Sequence, residues 1–497
     1  MKLSEITNIK AVTRIIGSIH EVDVTGIFYD SRKVIQDSIF VAIKGFKTDG
    51  HNFIDEVIKK NPAAIIIENE EILSEQASKS SNCVFVKVTD SRKVLAELSK
   101  IYFNNPSSKL RLIGVTGTNG KTTTTYILKS IFDNVGEKTG VIGTIGNMIG
   151  DEFIDTEMTT PESPELNHLL NKMTLSKCNT VAMEVSSHSL ALDRVHNLKY
   201  DIAIFTNLTN DHLDFHKTMD DYLASKKILF DNLSEESFCI YNSDDPNFEK
   251  LIKDTKANKI SYGTNADSDF IISEISFDLE GTSFKLRNQS AVYEIKTSLI
   301  GSFNAYNIAA AFIAARKCGI SAEKIIDGIT KTPHVPGRFE VIHFNNKKII
   351  IDYSHTPDSL DKALTSIRQI ISNDFRLYTV MGCGGDRDKI KRPIMGKIAS
   401  LLSDKVIITN DNPRTENEDQ IIEDIKSGIK LENFVVIKNR TEAINYAINE
   451  SPDGAVVLIA GKGHENYQII GKEKFYFSDK EETLKLINQL NNELVVK

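Results

Sequence analysis

The chain has 497 residues, 40% of them hydrophobic and 26% charged, with a formal net charge of −8. This is an ordinary globular composition, long enough for about three domains. The acidic balance, without a long basic run, argues against a nucleic-acid groove and fits a small-molecule enzyme. The five scattered cysteines (Cys83, Cys178, Cys239, Cys318, Cys383) form neither a zinc spacing nor a disulfide framework. The N-terminus, MKLSEITNIK, lacks an apolar signal core, and no apolar run is long enough to span a bilayer. The expectation is a cytoplasmic protein that neither enters a membrane nor is exported.

Residues 1–108 read as a small mixed α/β unit with strands at Val24–Phe28, Ile39–Ile43, Ala63–Ile67 and Cys83–Val88. The polar segment Asn104–Lys109 carries Pro106 and reads as a linker. A second domain, 109–336, opens with the apolar strand Leu110–Val115. A glycine-rich turn follows, then a helix with Ile127, Leu128, Ile131, Phe132 and Val135 on one face, ended by Gly136. Its later strands, Thr180–Val185 and Ile202–Leu208, are almost continuously apolar, as in a parallel sheet covered on both faces. It closes with an amphipathic helix, Ala305–Arg316, and the turn His334–Arg338. The third domain, 337–497, repeats apolar strands at Lys348–Asp352, Leu377–Val380, Val406–Thr409 and Ala455–Ala460, each followed by a polar or glycine-rich loop. That is the pattern of a doubly wound sheet with its site at the carboxyl ends of the strands. The predicted fold class is α/β in three domains: a small mixed α/β N-terminal domain, a central P-loop ATPase-like parallel-sheet domain and a C-terminal Rossmann-like doubly wound domain. Asn104–Lys109 and Val335–Arg338 are the expected hinges.

Residues Gly114–Thr125, GVTGTNGKTTTT, place a glycine loop between a strand and a helix N-terminus. Backbone N–H groups of Gly117, Thr118, Asn119, Gly120 and Lys121 can turn inward onto phosphates, and the helix dipole favours negative charge. Lys121 would reach the terminal phosphates, and Thr122 would offer its hydroxyl to Mg²⁺. The loop departs from the strict Walker pattern, with Val115 six residues before Lys121. Glu184 and His212 follow two successive strands, on the sheet edge that carries the phosphate loop. With Thr122 they form a candidate magnesium set. Tyr222 and Lys226 share a helix face at i,i+4; alone, Lys226 reads as a surface lysine. In the third domain GCGGDRDKIKRP, DNPR and GKGHE supply Arg387, Asp411, Asn412, Arg414, Gly461 and Glu465. Guanidiniums pair carboxylates and acidic groups take an ammonium, so the set suits a zwitterion.

Taken together, TGTNGKTT, MEVSSH, NLTNDHLD, GSFNAYN, VPGRFE and DYSHTPDSL resemble the Mur ligases of peptidoglycan synthesis. YDSRKV, GCGGDRDK, DNPR and AGKGHE resemble the branch that adds the third residue of the muramyl peptide. The ordered match spans residues 26 to about 480. The resemblance implies that the first domain binds the UDP part of UDP-N-acetylmuramoyl-L-alanyl-D-glutamate, the second ATP with Mg²⁺, and the third the incoming amino acid. ATP would convert the D-glutamate carboxylate to an acyl phosphate, which the amine attacks to give an amide, ADP and phosphate. Tyr29, Ser31 and Arg32 fall on the uridine-side motif, and Thr159, Thr160, Ser186 and Arg194 on the muramyl dipeptide contacts. Thr123, Asn304, Asn307, Arg338 and Asp352 join the phosphate loop as ATP-side residues. Thr122 and Glu184 would bind magnesium and His212 would help hold a second ion. Lys226 matches the lysine that becomes carbamylated in this family. The catalytic set is thus Lys121, Glu184, His212 and Lys226. Leu192 departs from the family, standing where some members carry a glutamine that contacts substrate.

In this family an arginine in DNPR accompanies meso-diaminopimelate, and lysine-adding relatives carry smaller or neutral residues there. Diaminopimelate has one carboxylate more than lysine, and Arg414 can pair it. The alternatives are a lysine-adding ligase, a folylpolyglutamate synthase-like ligase, and a catalytically inactive nucleotide or muropeptide sensor. Lys121, Glu184, His212 and Lys226 together argue against the last. The expected partners are small-molecule substrates, with no nucleic acid and no membrane, and the expected form is a monomer.

Overall fold

The computed structural model describes residues 1–45, 48–77, 83–371 and 375–495. The chain forms two compact units. One comprises residues 1–114, 137–203 and 232–237; the other comprises 115–136, 204–231 and 238–497. Among the described residues, no helix is long and apolar enough to cross a membrane.

The first unit holds a five-stranded sheet in the order Val12–Ile16, Val84–Val88, Ala64–Ile67, Ile39–Val41, Ile27–Phe28. Only Val12–Ile16 is antiparallel to its neighbour. The sheet's residues alternate between two cores, as a period of two requires. Ile39, Val41, Ile66 and Val86 pack on one side with Leu95 and Leu98 of the helix Ser91–Tyr102. Phe40, Ile65, Ile67 and Phe85 pack on the other with Ile54 and Val57. The strand expected over Val24–Phe28 is confined to Ile27–Phe28. Val12–Ile16 escaped the sequence reading because Thr13 and Arg14 are exposed and blur its apolar signal. The polar segment before residue 110 is not extended. Asn104 and Asn105 take left-handed backbone, and Pro106–Lys109 form a 3₁₀ turn with Pro106 and Ser107 buried. The same unit contains the parallel pair Thr139–Ile142 and Thr180–Glu184, extended by the antiparallel strands Asn147–Ile149 and Glu152–Ile154.

In the second unit, Phe238–Asn242, Asn258–Gly263 and Phe270–Phe277 run parallel, and Thr282–Arg287 and Val292–Thr297 continue antiparallel. The helix Ser302–Lys317 is buried almost all round from Asn304 to Ala315, so the amphipathic helix expected there is a core helix. Its alanines carry no polar face, and neighbours cover each side. A six-stranded sheet follows in the order Glu340–Phe344, Lys347–Asp352, Val456–Ala460, Leu377–Met381, Lys405–Ile408, Phe434–Val436. All neighbours are parallel except the first pair. Ile350, Leu377, Val406 and Leu458 face one helical layer, and Ile349, Ile351, Val380, Ile407 and Ile459 the other. That is the doubly wound architecture expected. The chain leaves a gap between Lys347–Asp352 and Leu377–Met381 and later fills it with Val456–Ala460. The loop Gly461–Glu465 therefore emerges between the loops of its neighbours.

Candidate active site

The phosphate-loop residues lie between the strand Arg111–Thr116 and the helix Lys121–Asn134. Gly117 and Gly120 have φ of +150° and +88°. A Cβ on them would lie 1.9 Å from Thr206 Oγ1 and 2.3 Å from Asn307 Oδ1, so both positions require glycine. The loop is braced by the segment after the strand Ile202–Phe205. Asn119 N donates to Asn207 Oδ1 at 3.0 Å, and Asn119 O accepts from Thr206 Oγ1 at 2.6 Å. Thr118 Oγ1 accepts from Thr209 N at 2.9 Å. Strand geometry expected to Leu208 stops at Phe205 because the next residues serve the loop instead.

Two lysines converge on one carbonyl. Lys121 Nζ folds back to donate to Gly117 O at 2.9 Å and Thr118 O at 2.8 Å. Lys226 Nζ donates to the same Gly117 O at 2.9 Å and rests 4.5 Å from the centre of the Tyr222 ring. Lys226 is buried, not a surface lysine. Burial, reinforced by the Lys121 charge, holds its amine well below the ordinary lysine range. Thr122 Oγ1 accepts from Arg338 Nη2 at 3.1 Å, and the Arg338 guanidinium stacks 4.5 Å from the Tyr353 ring. Thr123 is buried in the first turn of the helix. Asn304 Oδ1 accepts from Asn307 Nδ2 at 3.0 Å, which orients Asn307 Oδ1 toward Gly120. Asp352 Oδ2 accepts from Phe339 N at 2.8 Å, and burial raises its carboxyl above the usual range. His212 takes left-handed backbone at φ +55° ahead of the short helix Leu213–His216, with Nε2 3.4 Å from Asp211 Oδ2.

Glu184 belongs to the other unit, where it is buried and accepts from Thr144 N at 2.8 Å and Thr144 Oγ1 at 3.0 Å. The dipeptide candidates gather round it. Thr159 Oγ1 is 3.0 Å from Thr144 Oγ1, and Thr160 Oγ1 donates to Glu184 O at 2.8 Å. Ser186 N donates to Thr160 Oγ1 at 3.2 Å. Arg194 Nη1 donates to Thr160 O at 3.2 Å, and Arg194 Nε lies 2.8 Å from Glu162 Oε1. Tyr29 donates its hydroxyl to Glu165 Oε1 at 3.3 Å. Ser31 is buried, while Arg32 is exposed and grips Asp30 with two hydrogen bonds that pull that carboxyl down to about 2. Among the described residues, no three His, Cys, Asp or Glu side chains gather as a metal site.

The third-domain candidates do come together, but not all of them point at a ligand. Arg414, at φ +52°, donates through Nη1 to Gly385 O at 2.9 Å. No carboxylate pairs with it among the described residues. Burial, with the Arg387 charge, lowers its pKa from the ordinary arginine value, and the Asp411 and Glu465 charges offset this only in part. Arg387 is exposed and donates to Asp386 O at 3.3 Å. Asp411 and Asn412 are buried, and Asn412 Nδ2 donates to Glu465 Oε2 at 3.0 Å. Gly461 N donates to Asp352 O at 3.0 Å. Burial and the Asp411 charge raise the Glu465 carboxyl.

Three Mur ligase family models match the chain in order. The Mur ligase family catalytic domain matches residues 23–102, the Mur ligase middle domain 115–315, and the Mur ligase glutamate ligase domain 337–463. A Clostridium acetobutylicum protein named UDP-N-acetylmuramoyl-L-alanyl-D-glutamate–2,6-diaminopimelate ligase 1 is 44% identical over 493 residues, 99% of this chain and 100% of that one. The chain belongs to the Mur ligase family. A solved structure of a UDP-N-acetylmuramoyl-L-alanyl-D-glutamate–2,6-diaminopimelate ligase aligns with a TM-score of 0.70 at 32% identity, covering 99% of each chain. A MurF ligase from Thermotoga maritima in complex with ADP shares the fold, with a TM-score of 0.62 at 20% identity over 93% of this chain and 97% of that one.

In this Mur ligase Asp211, His355 and Arg392 lie beside the candidate residues in sequence, and sequence reasoning alone does not single them out. Asp211 lies under the charges of His212, His355 and Lys391, which outweigh its burial and hold its carboxyl below the usual range. His355 is half-buried, its Nδ1 2.9 Å from Tyr353 O, and desolvation with the Lys391 charge brings it down to about 4. Arg392 is wholly buried and pairs with Glu416 at 2.7 Å and Asp424 at 2.8 Å, tying the Gly382–Asp388 loop to the loop that carries Arg414. The sequence signals for them are NDH, DYSHTP and DKIKRP, which adjoin the candidate residues.

Proposed function

We propose that this chain is an ATP-dependent, ADP-forming ligase. It joins meso-diaminopimelate to the D-glutamate of UDP-N-acetylmuramoyl-L-alanyl-D-glutamate through an acyl phosphate, in cytoplasmic peptidoglycan precursor synthesis. Its domain boundaries lie at 108/109 and 336/337, and it works as a monomer on small-molecule substrates. Similarity along the whole chain to proteins of that name supports the reading. The observation that carries it is the half-buried Arg414 guanidinium, unpaired by any carboxylate among the described residues and close to the acidic pair Asp411 and Glu465. Such an arrangement binds a zwitterion with a further carboxylate better than it binds lysine.

A free carboxylate is a poor acylating agent, so the chemistry is phosphoryl transfer followed by aminolysis. The protein's part is chiefly positioning and charge. Lys121 leaves its loop carbonyls to meet the transferring phosphate. The Thr122 hydroxyl would exchange Arg338 for the magnesium ion. Bound Mg²⁺ would neutralise phosphate charge, held through Thr122, Glu184, His212 and the modified Lys226. Lys226 fits carbamylation because burial shifts its amine toward the neutral form, the form that adds CO₂, making an N–C bond and losing one proton to leave an anionic oxygen donor. In the third domain Arg414 holds the distal carboxylate, Arg387 the other carboxylate, and Asp411 with Glu465 the ammonium charge. The test supplies muramoyl dipeptide, ATP and each candidate amino acid, follows ADP, and weighs the product by mass spectrometry. Diaminopimelate should give the expected tripeptide mass; ADP release without any new amide would reject the reading.

A further inference from the structure

The amino-acid loops enclose a cation that the ligase reading leaves unused. Lys462 is 0% exposed. Its Nζ donates to Asn412 Oδ1 at 3.2 Å and to Glu465 Oε2 at 3.1 Å, and lies 5.4 Å from the centre of the Tyr467 ring. Asn412 Oδ1 accepts a second bond from Ile469 N at 3.0 Å, and Asn412 Nδ2 donates to Glu465 Oε2. An ammonium only donates, so it fixes which way the Asn412 amide points. Through this one side chain the DNPR loop, the GKGHE loop and the hairpin strand Tyr467–Ile470 are joined. Oε2 of Glu465 is thereby occupied twice. Oε1 accepts from the Tyr467 hydroxyl at 3.3 Å.

We propose that Lys462 is a positioning residue of the amino-acid site: it orients the Asn412 amide and neutralises Glu465 Oε2, leaving Oε1 to receive the ammonium of the incoming amino acid. The inference rests on the ligase reading and deepens it. Two carboxylates buried near one another resist joint ionisation unless a cation offsets them. The groups that act on Glu465 are Asp411, Lys462, Arg414, Arg440, Tyr353 and Tyr467. Of these, Lys462 is the cation in direct hydrogen-bond contact. Burial and Asp411 push the Glu465 carboxyl up, and Lys462 pulls it back. Without Lys462, Glu465 would take up a proton at a higher pH and lose its hold on an ammonium there.

The test compares the full-length wild type with Lys462→Met, Lys462→Gln, Lys462→Arg, Glu465→Gln and the Lys462→Met/Glu465→Gln pair, measuring kcat and each KM across pH. Lys462→Met should raise KM for diaminopimelate by about 10-fold or more while KM for ATP stays within about 2-fold. The acid limb of its kcat/KM profile for diaminopimelate should move to higher pH. Lys462→Arg should sit closer to wild type, and the double variant should lose less than the product of the two single losses. Lys462→Gln keeps a donor without the charge and reports the same shift if the methionine variant folds poorly. Equal losses for ATP and diaminopimelate, an unmoved acid limb, or additive losses would overturn the proposal. So would loss of ADP binding in every Lys462 variant, since the lysine would then serve the fold alone. A wild-type enzyme with no diaminopimelate-dependent turnover would instead reject the ligase reading.

Discussion

The phosphate loop and the amino-acid loops lie in the same unit and handle charge in opposite ways. At the phosphate loop, Lys121 and Lys226 both spend hydrogen bonds on Gly117 O, and Arg338 occupies Thr122. The groups proposed for ligand are engaged with the chain's own atoms. At the amino-acid loops, Lys462 holds Asn412 and Glu465, and Arg392 staples the two neighbouring loops, while Arg414 has no carboxylate partner among the described residues. Under the proposed function the first region exchanges these partners for nucleotide. The second is already arranged, with one cation left for an anionic group. Preorganisation of this kind lowers the cost of binding and sharpens discrimination.

The comparison breaks most severely at Lys121. Lys121→Ala should lower kcat by about 10³-fold, because charge on the transferring phosphate is then unmatched. Dipeptide-dependent ADP release measures it, and a loss under 10-fold would remove Lys121 from the chemistry. Arg414→Ala should raise KM for diaminopimelate by about 30- to 1,000-fold, the equivalent of roughly 2–4 kcal/mol, with KM for ATP nearly unchanged. Steady-state kinetics with each substrate varied in turn separates the two.

Lys226→Ala should lose about 10- to 100-fold in activity, with partial recovery on adding formate or acetate as a substitute oxygen ligand. Full activity without added acid would remove the carbamate from the account. The smallest effect is expected at the staple. Hydrogen bonding to Arg392 holds the Glu416 carboxyl far below its ordinary value of 4.5. A lowered folded-state value contributes stability that is present above about pH 4.5 and is lost as pH falls below it. Thermal melts of Glu416→Gln should therefore lie below wild type at neutral pH and converge with it in acid. Parallel melting curves at all pH values would show that this pair does not titrate with folding.

The two regions also differed in how legible they were. The phosphate loop could be read from residues alone, because glycines at forced backbone positions and a lysine at a helix start carry their own geometry. The doubly wound third domain was equally plain from apolar strands ending in polar loops. Lys462 and Arg392 were not legible as buried cations, since a lysine or arginine in a polar loop reads as solvated until its partners are known. The burial of Lys226 lay in the same blind spot. Strand edges such as Val12–Ile16, and the hairpin Tyr467–Tyr476 with its exposed Ile470, Phe475 and Tyr476, lack the alternation that a buried strand shows.

In the proposed function a preformed basket with an unpaired guanidinium selects the amino acid by charge. Its most direct test is the ratio of kcat/KM for meso-diaminopimelate to that for lysine, in wild type and in Arg414→Ala. The account predicts a wild-type ratio far above one that falls by about 30-fold or more in the variant, chiefly through loss of the diaminopimelate value. A wild-type preference for lysine, or a ratio unchanged by the substitution, would contradict it.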